Sequence, residues 1–263
     1  NDKNSFRLGV SKTYTLPQAK EISPYRYVGV NFNSQGNPNL KPSDNYNLDL
    51  KWDFNPTPTE LISLTAFYKL IKNPISRIEV ASAGGYLSYE NIADKATVAG
   101  VEVEIRKNLF VRPVSNAAHG MNKLSLGLNG SYIYTNAKMP LATVTTGSQL
   151  EGAAPWIVNF DLSHNFTKGE RSFVNTLVLN YVSDKIYTIG TQGYQDVMEQ
   201  GVLILDFVSQ AKLNKHLSLN LKARNLLNPS YKLSRKANEN GEKVILNDYK
   251  KGINISLGVS CTF

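Results

Sequence analysis

The side chains best suited to chemistry are few in this chain: His119, His164, His216 and a single cysteine, Cys261. A nucleophile needs a base within hydrogen-bond reach, and a metal needs imidazole or thiolate ligands at short spacing. No two of the four residues share a short segment, so neither pattern is present. One cysteine leaves no disulfide framework and no thiolate site, and reads as a small apolar filler. No catalytic residue, metal or cofactor is therefore expected. What remains is recognition. Tyr86, Tyr89, Tyr187 and Tyr194 lie in stretches without regular apolar spacing, where a ring can stack on a sugar ring. Packing is the competing use of each.

Those residues must be carried by some scaffold, and composition narrows the choice. The chain has 263 residues, a net charge of +8 and an isoelectric point near 9.3, compatible with nucleic acid, anionic headgroups or an acidic ligand. Its basic residues are scattered, with no aromatic and basic cluster of the nucleic-acid-binding kind, so a solvated basic surface is the better reading. No apolar run approaches the roughly 20 residues that a helical membrane span needs. The start, "NDKNSFRLGV", lacks the basic flank and apolar core of a signal peptide. A membrane protein of this sequence would cross as β-strands and would be a mature product or a fragment.

Period-two alternation recurs along the chain. "NYNLDLKWDF" puts Tyr46, Leu48, Leu50, Trp52 and Phe54 on one side and Asn47, Asp49, Lys51 and Asp53 on the other. "VEVEIR" sets Val101, Val103 and Ile105 against Glu102, Glu104 and Arg106. Leu124, Leu126, Leu128, Tyr132 and Tyr134 share a side, as do Trp156, Val158, Phe160 and Leu162, and Leu217, Leu219 and Leu221 oppose Lys222 and Arg224. The terminal "INISLGVSCTF" alternates Ile253, Ile255, Leu257, Val259, Cys261 and Phe263 with small polar residues. With looser stretches from Phe6, Leu61, Phe173 and Val202, about ten strands of about 9 to 12 residues result, the length of a tilted membrane strand.

Connections alternate in length. Short ones at 55 to 60, 168 to 172 and 214 to 216 take turns with long ones at roughly 16 to 42, 72 to 96, 136 to 154, 185 to 200 and 228 to 250, with the link at 109 to 122 intermediate. Long loops on one rim and tight turns on the periplasmic rim characterise outer-membrane barrels. Aromatics near strand ends (Trp52, Tyr132, Trp156, Phe166, Tyr181) suit a girdle at the lipid interface. The expected fold is an all-β, antiparallel transmembrane β-barrel with about ten strands in this chain. A soluble sandwich would not sort its loops by length. On this layout His119 and His216 fall in periplasmic turns and His164 has the parity of the apolar face, which argues against an outer-leaflet enzyme.

Several segments resemble the C-terminal half of TonB-dependent outer-membrane receptors, especially the glycan- and nutrient-importing branch. "GNPNLKPSDNYNLDLKW" (36 to 52) is similar to the loop-to-strand signature of that family. "LISLTAFYKLIKNPIS", "NIADKATVAGVEVEI" and "NLLNPSYKL" are similar to later strands in the same order, and the terminal aromatic matches too. The resemblance implies the last ten strands of a 22-stranded barrel. Residues 1–263 would form one C-terminal barrel portion, with plug, signal peptide and TonB-binding segment outside this chain. It implies that Ile253, Ile255, Leu257, Val259 and Phe263 form a signal read by the barrel-assembly machinery, whose physical basis is an unpaired strand that a partner can template.

By the same resemblance, Asp49, Lys51, Asp53, Glu102, Glu104, Arg106, Lys222 and Arg224 would face the lumen, and the four loop tyrosines would be ligand contacts. The implied function is TonB-dependent import of a scarce nutrient such as a glycan, peptide or metal chelate, in the outer membrane of a Gram-negative bacterium. Implied partners are TonB through the plug, outer-membrane lipid, and lipopolysaccharide beside the basic loop "KLSRKANENGEKVILNDYKK". A surface lipoprotein is a further candidate. Self-contained passive porins and secretion-associated barrels share every pattern above, and they remain the alternative.

Overall fold

The computed structural model describes residues 3–30, 32–80, 82, 85–114, 120–139, 149–237 and 241–262. In chain order the described elements are β1 (Asn4–Thr15), the helical turn α1 (Ala19–Ile22), β2 (Arg26–Tyr27), β3 (Ser34–Gln35), β4 (Ser43–Phe54), β5 (Leu61–Lys72), β6 (Ile75–Val80), β7 (Tyr86–Asn91), β8 (Lys95–Pro113) and β9 (Met121–Ala137). They continue with β10 (Trp156–Lys168), β11 (Arg171–Val182), β12 (Lys185–Thr188), β13 (Val197–Glu199), β14 (Val202–Lys212), β15 (Leu217–Arg224), β16 (Ser230–Lys236), β17 (Lys243–Lys250) and β18 (Asn254–Cys261).

Ten of these strands form one antiparallel sheet, the wall, in the order β1-β4-β5-β8-β9-β10-β11-β14-β15-β18. Neighbours follow one another along the chain, the meander that hairpin-connected strands produce. Register converts the alternation of each strand into two opposite faces. One row runs Phe54, Ile62, Ile105, Leu128, Phe160, Leu179 and Leu205 across seven strands, apolar at every step. The next row, one residue along and on the other face, runs Asp53, Ser63, Glu104, Asn129, Asn159 and Asn180. A one-residue slip of any strand would exchange these faces, so the pattern itself fixes the register.

Strand lengths depart most from the expected range in β8 and β9. These span 19 and 17 residues, and the apparent intermediate link between them shrinks to 114–120 because both strands continue toward it. A bulge between Asn108 and Phe110 admits Leu109 and hides the alternation there. Ile253 also departs: β18 begins at Asn254, so Ile253 precedes the terminal strand while Ile255, Leu257 and Val259 lie on its apolar face. Phe263 and His119 lie outside the described residues.

Gly100 shows how tightly the polar face packs. Phe67 sits directly opposite on β5, and a Cβ at position 100 would lie 2.4 Å from Phe67 Cζ and 2.6 Å from the carbonyl oxygen of Tyr132. Overpacking of this kind costs about 1 to 3 kcal/mol. Gly100→Ala is expected to lower the urea midpoint of the whole barrel accordingly. Adding Phe67→Ala should recover only part, since the Tyr132 carbonyl stays in place.

Candidate functional site

Four of the five long connections, 16 to 42, 72 to 96, 185 to 200 and 228 to 250, are not open loops. They carry two further four-stranded sheets, β2-β3-β7-β6 and β12-β13-β16-β17, which stand over the long-loop rim of the wall. Among the described residues every buried Leu, Ile and Val belongs to this layer: Ile78, Leu87, Ile92, Leu150, Ile186, Ile189, Val197 and Leu233. The wall instead displays its apolar side chains, with Leu8 71% and Leu257 71% exposed. The core of the molecule therefore sits in the loop layer, where Ile78, Ile92, Leu150, Ile186 and Ile189 pack on Ala96 and Ala137 at the ends of β8 and β9.

Polar ties lock the two small sheets together. Backbone bonds join Glu79 N–H to the Ile189 carbonyl (3.1 Å) and Ile189 N–H to the Arg77 carbonyl (3.0 Å). Arg77 donates to Glu151 through Nη2 (2.6 Å) and Nε (3.2 Å), and its backbone N–H donates to the same carboxylate (2.6 Å). Glu79 receives Arg235, which reaches across from β16. Each tie crosses between loops that are distant in sequence.

These ties shape a cleft of about 220 Å³ lined by Lys20, Phe32, Arg77, Leu87, Tyr89 and Tyr187. The Arg77 guanidinium carbon lies 4.2 Å from the Tyr187 ring centroid, close enough for cation–π attraction. Tyr89 stands opposite Arg77 across β6 and β7, and Phe32 lies 6.1 Å from Tyr187, ring to ring. Burial lowers the affinity of Arg77 for its proton, but the Glu151 carboxylate outweighs it, so the guanidinium is held more firmly charged than in water. Burial also pushes the Tyr89 phenol above its ordinary value of 10.0, leaving a protonated donor at neutral pH.

Of the four tyrosines singled out in the sequence, Tyr89 and Tyr187 meet in this cleft. Tyr86 lies beside Arg26 (5.8 Å to the ring centroid) and Tyr194 beside Arg235 (5.3 Å), outside it. Tyr187 also lines a smaller cleft of about 150 Å³ with Tyr231, Lys232 and Tyr249. Arg77, Lys20, Phe32, Tyr231 and Tyr249 were not marked by the sequence. Arg77 acquires its position only by pairing with a glutamate 74 residues away, and nothing in the local sequence signals that.

The Tyr89 shift sets a pH dependence. A phenol whose folded value is raised loses its proton more readily in the unfolded chain, so its contribution is intact below about pH 10 and declines as pH rises further. Local opening of the β6–β7 hairpin, followed by amide exchange, should increase above pH 10, and Tyr89→Phe should remove that increment.

The charged residues expected to face the lumen all lie on the polar face of the wall, but they do not converge. Asp53 pairs with Arg7 (2.9 Å) and Lys51 (3.6 Å), and Glu104 with Arg106 (2.6 Å). Asp49, Glu102, Lys222 and Arg224 are spread along the same face by register. A recess of about 400 Å³ lies between β11 and β18, larger than either loop cleft, but with Lys212 as its only charge and no aromatic ring. The loop cleft is the better recognition site, because it combines rings and cations.

An antiparallel meander with one apolar and one polar face, tight turns on one rim and a folded loop layer on the other, is the wall of an outer-membrane β-barrel. Residues 1–226 match the family described as TonB dependent receptor-like, beta-barrel, and the chain belongs to that family. An iron-regulated outer membrane virulence protein of Vibrio cholerae serotype O1 is 26% identical over 208 residues, covering 75% of this chain and 29% of the relative. Similar solved structures include the ferric yersiniabactin uptake receptor of Yersinia pestis (TM-score 0.62, 15% identity, 35% of that chain). A mutant ferric enterobactin receptor of Pseudomonas aeruginosa with bound enterobactin (0.59, 16%, 39%) and a copper transporter (0.63, 14%, 37%) are also similar. Each of these three structures is matched over 100% of the present chain. The chain thus spans under a third of the curated relative and rather more than a third of each structure. The protein resides in the outer membrane of a Gram-negative bacterium, in a family of transport receptors.

Proposed function

We propose that the protein carrying this chain imports an anionic metal chelate by TonB-coupled transport, with the present residues forming the C-terminal barrel wall and the ligand-binding loop layer. The observation that carries this reading is the Lys20, Phe32, Arg77, Tyr89 and Tyr187 cleft. Lys20 and three rings, with the Arg77 guanidinium held against Tyr187 by Glu151, suit a negatively charged chelate that can stack on the rings. The similar receptors are named for ferric enterobactin and ferric yersiniabactin, which are likewise metal chelates.

In this reading the polar face lines the lumen, where Asp49, Lys51, Asp53, Glu102, Glu104, Arg106, Lys222 and Arg224 meet a plug or water. The free edges of β1 and β18 pair with further strands of the barrel, and Ile255, Leu257, Val259 and Phe263 serve its assembly. TonB acts through the plug.

The test is uptake of radiolabelled iron chelates by cells of a receptor-deficient Gram-negative host producing the full-length protein. Uptake should require TonB and the proton gradient, and Tyr187→Ala should weaken chelate binding at least about tenfold, equivalent to 1.4 kcal/mol. Entry that persists without TonB would mark a passive pore and overturn the reading.

A further inference from the structure

The apolar face carries one patch that its surroundings do not explain. Near the short-turn rim, His164 Nε2 lies 2.8 Å from Asn122 Oδ1, and Ser209 Oγ donates to Asn175 Oδ1 at 2.7 Å. His164 stands directly opposite Asn175, and Asn175 opposite Ser209, so a polar ladder crosses β9, β10, β11 and β14. Toward the middle of the wall the adjacent row is Leu126, Leu162, Leu177 and Phe207. Toward the rim His164 and Asn175 are bounded by Phe166 and Phe173, whose rings are 6.4 Å apart, and Asn122 lies in the row of those rings, directly opposite Phe166. Polar side chains turned toward hydrocarbon are costly unless partnered. The ladder occupies both amide oxygens, and the side-chain nitrogens of Asn122 and Asn175 have no hydrogen-bond partner among the described residues. His164 is here a positioning residue: by engaging Asn122 Oδ1 it turns the amide nitrogen away.

A second observation lies just beyond the phenylalanines. Lys168 is paired directly with Arg171 at the end of the β10–β11 hairpin, on the same face and exposed. Like charges directly opposite are destabilising, and neither residue forms an ion pair among the described residues, Glu170 at the turn included. Arg112, opposite Asn122, adds a third cation, with its guanidinium 5.6 Å from the Phe110 ring centroid.

Lys168 and Arg171 lie at the rim, Asn122 one row in beside the phenylalanines, and Asn175 one row further, so both amide donors sit deeper than the paired cations. A glycerophospholipid presents the matching order: an anionic phosphate at the interface and ester carbonyl acceptors just inside it. Short turns mark the periplasmic rim, whereas lipopolysaccharide occupies the opposite leaflet. We propose that this patch binds an anionic phospholipid of the periplasmic leaflet. Its phosphate lies between Lys168 and Arg171, with Arg112 adding to the positive field, and its ester carbonyls accept from Asn122 and Asn175. A headgroup there relieves the like-charge pair and gives the ladder its missing acceptors.

The test uses the full-length protein, purified in mild detergent, stripped of lipid and offered phosphatidylglycerol, phosphatidylethanolamine and lipopolysaccharide in equal amounts. Retained lipid is read by native mass spectrometry. The wild-type protein should retain phosphatidylglycerol at least about tenfold over the other two. The double variant Lys168→Gln/Arg171→Gln should lose that preference, and Asn122→Leu/Asn175→Leu should reduce retention while keeping the heat-modifiable gel shift of a folded barrel. Equal retention of the three lipids by the wild type overturns the proposal, as does undiminished phosphatidylglycerol retention in the Lys168→Gln/Arg171→Gln variant. The lipid comparison on the wild type needs no variant to fold.

Discussion

Phe160→Arg is expected to keep the barrel from assembling in the membrane, while Asn159→Arg, one residue away, leaves assembly intact. Phe160 lies between Leu128 and Leu179 in a row that is apolar across seven strands, and both direct neighbours would be left beside a guanidinium facing hydrocarbon. An Arg on the lipid face near the midplane costs about 2 to 4 kcal/mol, and here the nearest rim is several residues away along the strand. Asn159 stands between Asn129 and Asn180 on the opposite face, where water or plug can solvate a new charge. The measurement is the heat-modifiable fraction of full-length protein in outer-membrane extracts. Near-loss for Phe160→Arg with near-normal assembly for Asn159→Arg would bear out the assignment of faces. Equal effects would mean that the two faces share one environment.

The second large effect concerns the loop layer. Glu151→Gln should release the β6–β7 hairpin and lower chelate affinity together, because one carboxylate receives both the side chain and the backbone N–H of Arg77. Breaking a fully buried ion pair costs about 3 to 5 kcal/mol. Arg77 and Glu151 side chains remain 26% and 18% exposed, so screening reduces the expected loss to about 2 kcal/mol, or on the order of thirtyfold in the closed-to-open ratio. Limited proteolysis within 75–91 and amide exchange of that hairpin would read the local loss, and chelate binding would read its consequence. The double variant Arg77→Met/Glu151→Met should restore hairpin protection, since apolar side chains of similar volume leave no uncompensated charge. It should not restore affinity, because the cation beside Tyr187 is gone.

Much of the wall was legible because its constraint is local. Each strand must present one face to lipid, so Leu48, Leu50 and Trp52 betray their strand without reference to any other residue. The departures have local causes as well: the bulge at Leu109 breaks period two within β8, and Gly252, with φ of +79°, turns the chain just before β18 and leaves Ile253 outside it. The loop layer was not legible. Its strands run from two to eight residues, too short for periodicity, and their pairings join segments far apart, as when Leu87 N–H reaches the Asn33 carbonyl. Tyr89 and Tyr187 were recognisable as candidates by residue type, but that they meet, and that Tyr86 and Tyr194 do not join them, depended on how the hairpins fold over one another.

The sequence by itself determined the membrane-crossing architecture, the two faces of the wall and the family, because lipid acts on every strand in the same way and leaves the same mark on each. Only the tertiary structure decided where the core lies, which rings and cations share a cleft, and that a lysine and an arginine oppose each other beneath a polar ladder. Those features arise from contacts between distant segments, and such contacts leave no periodic trace in the chain.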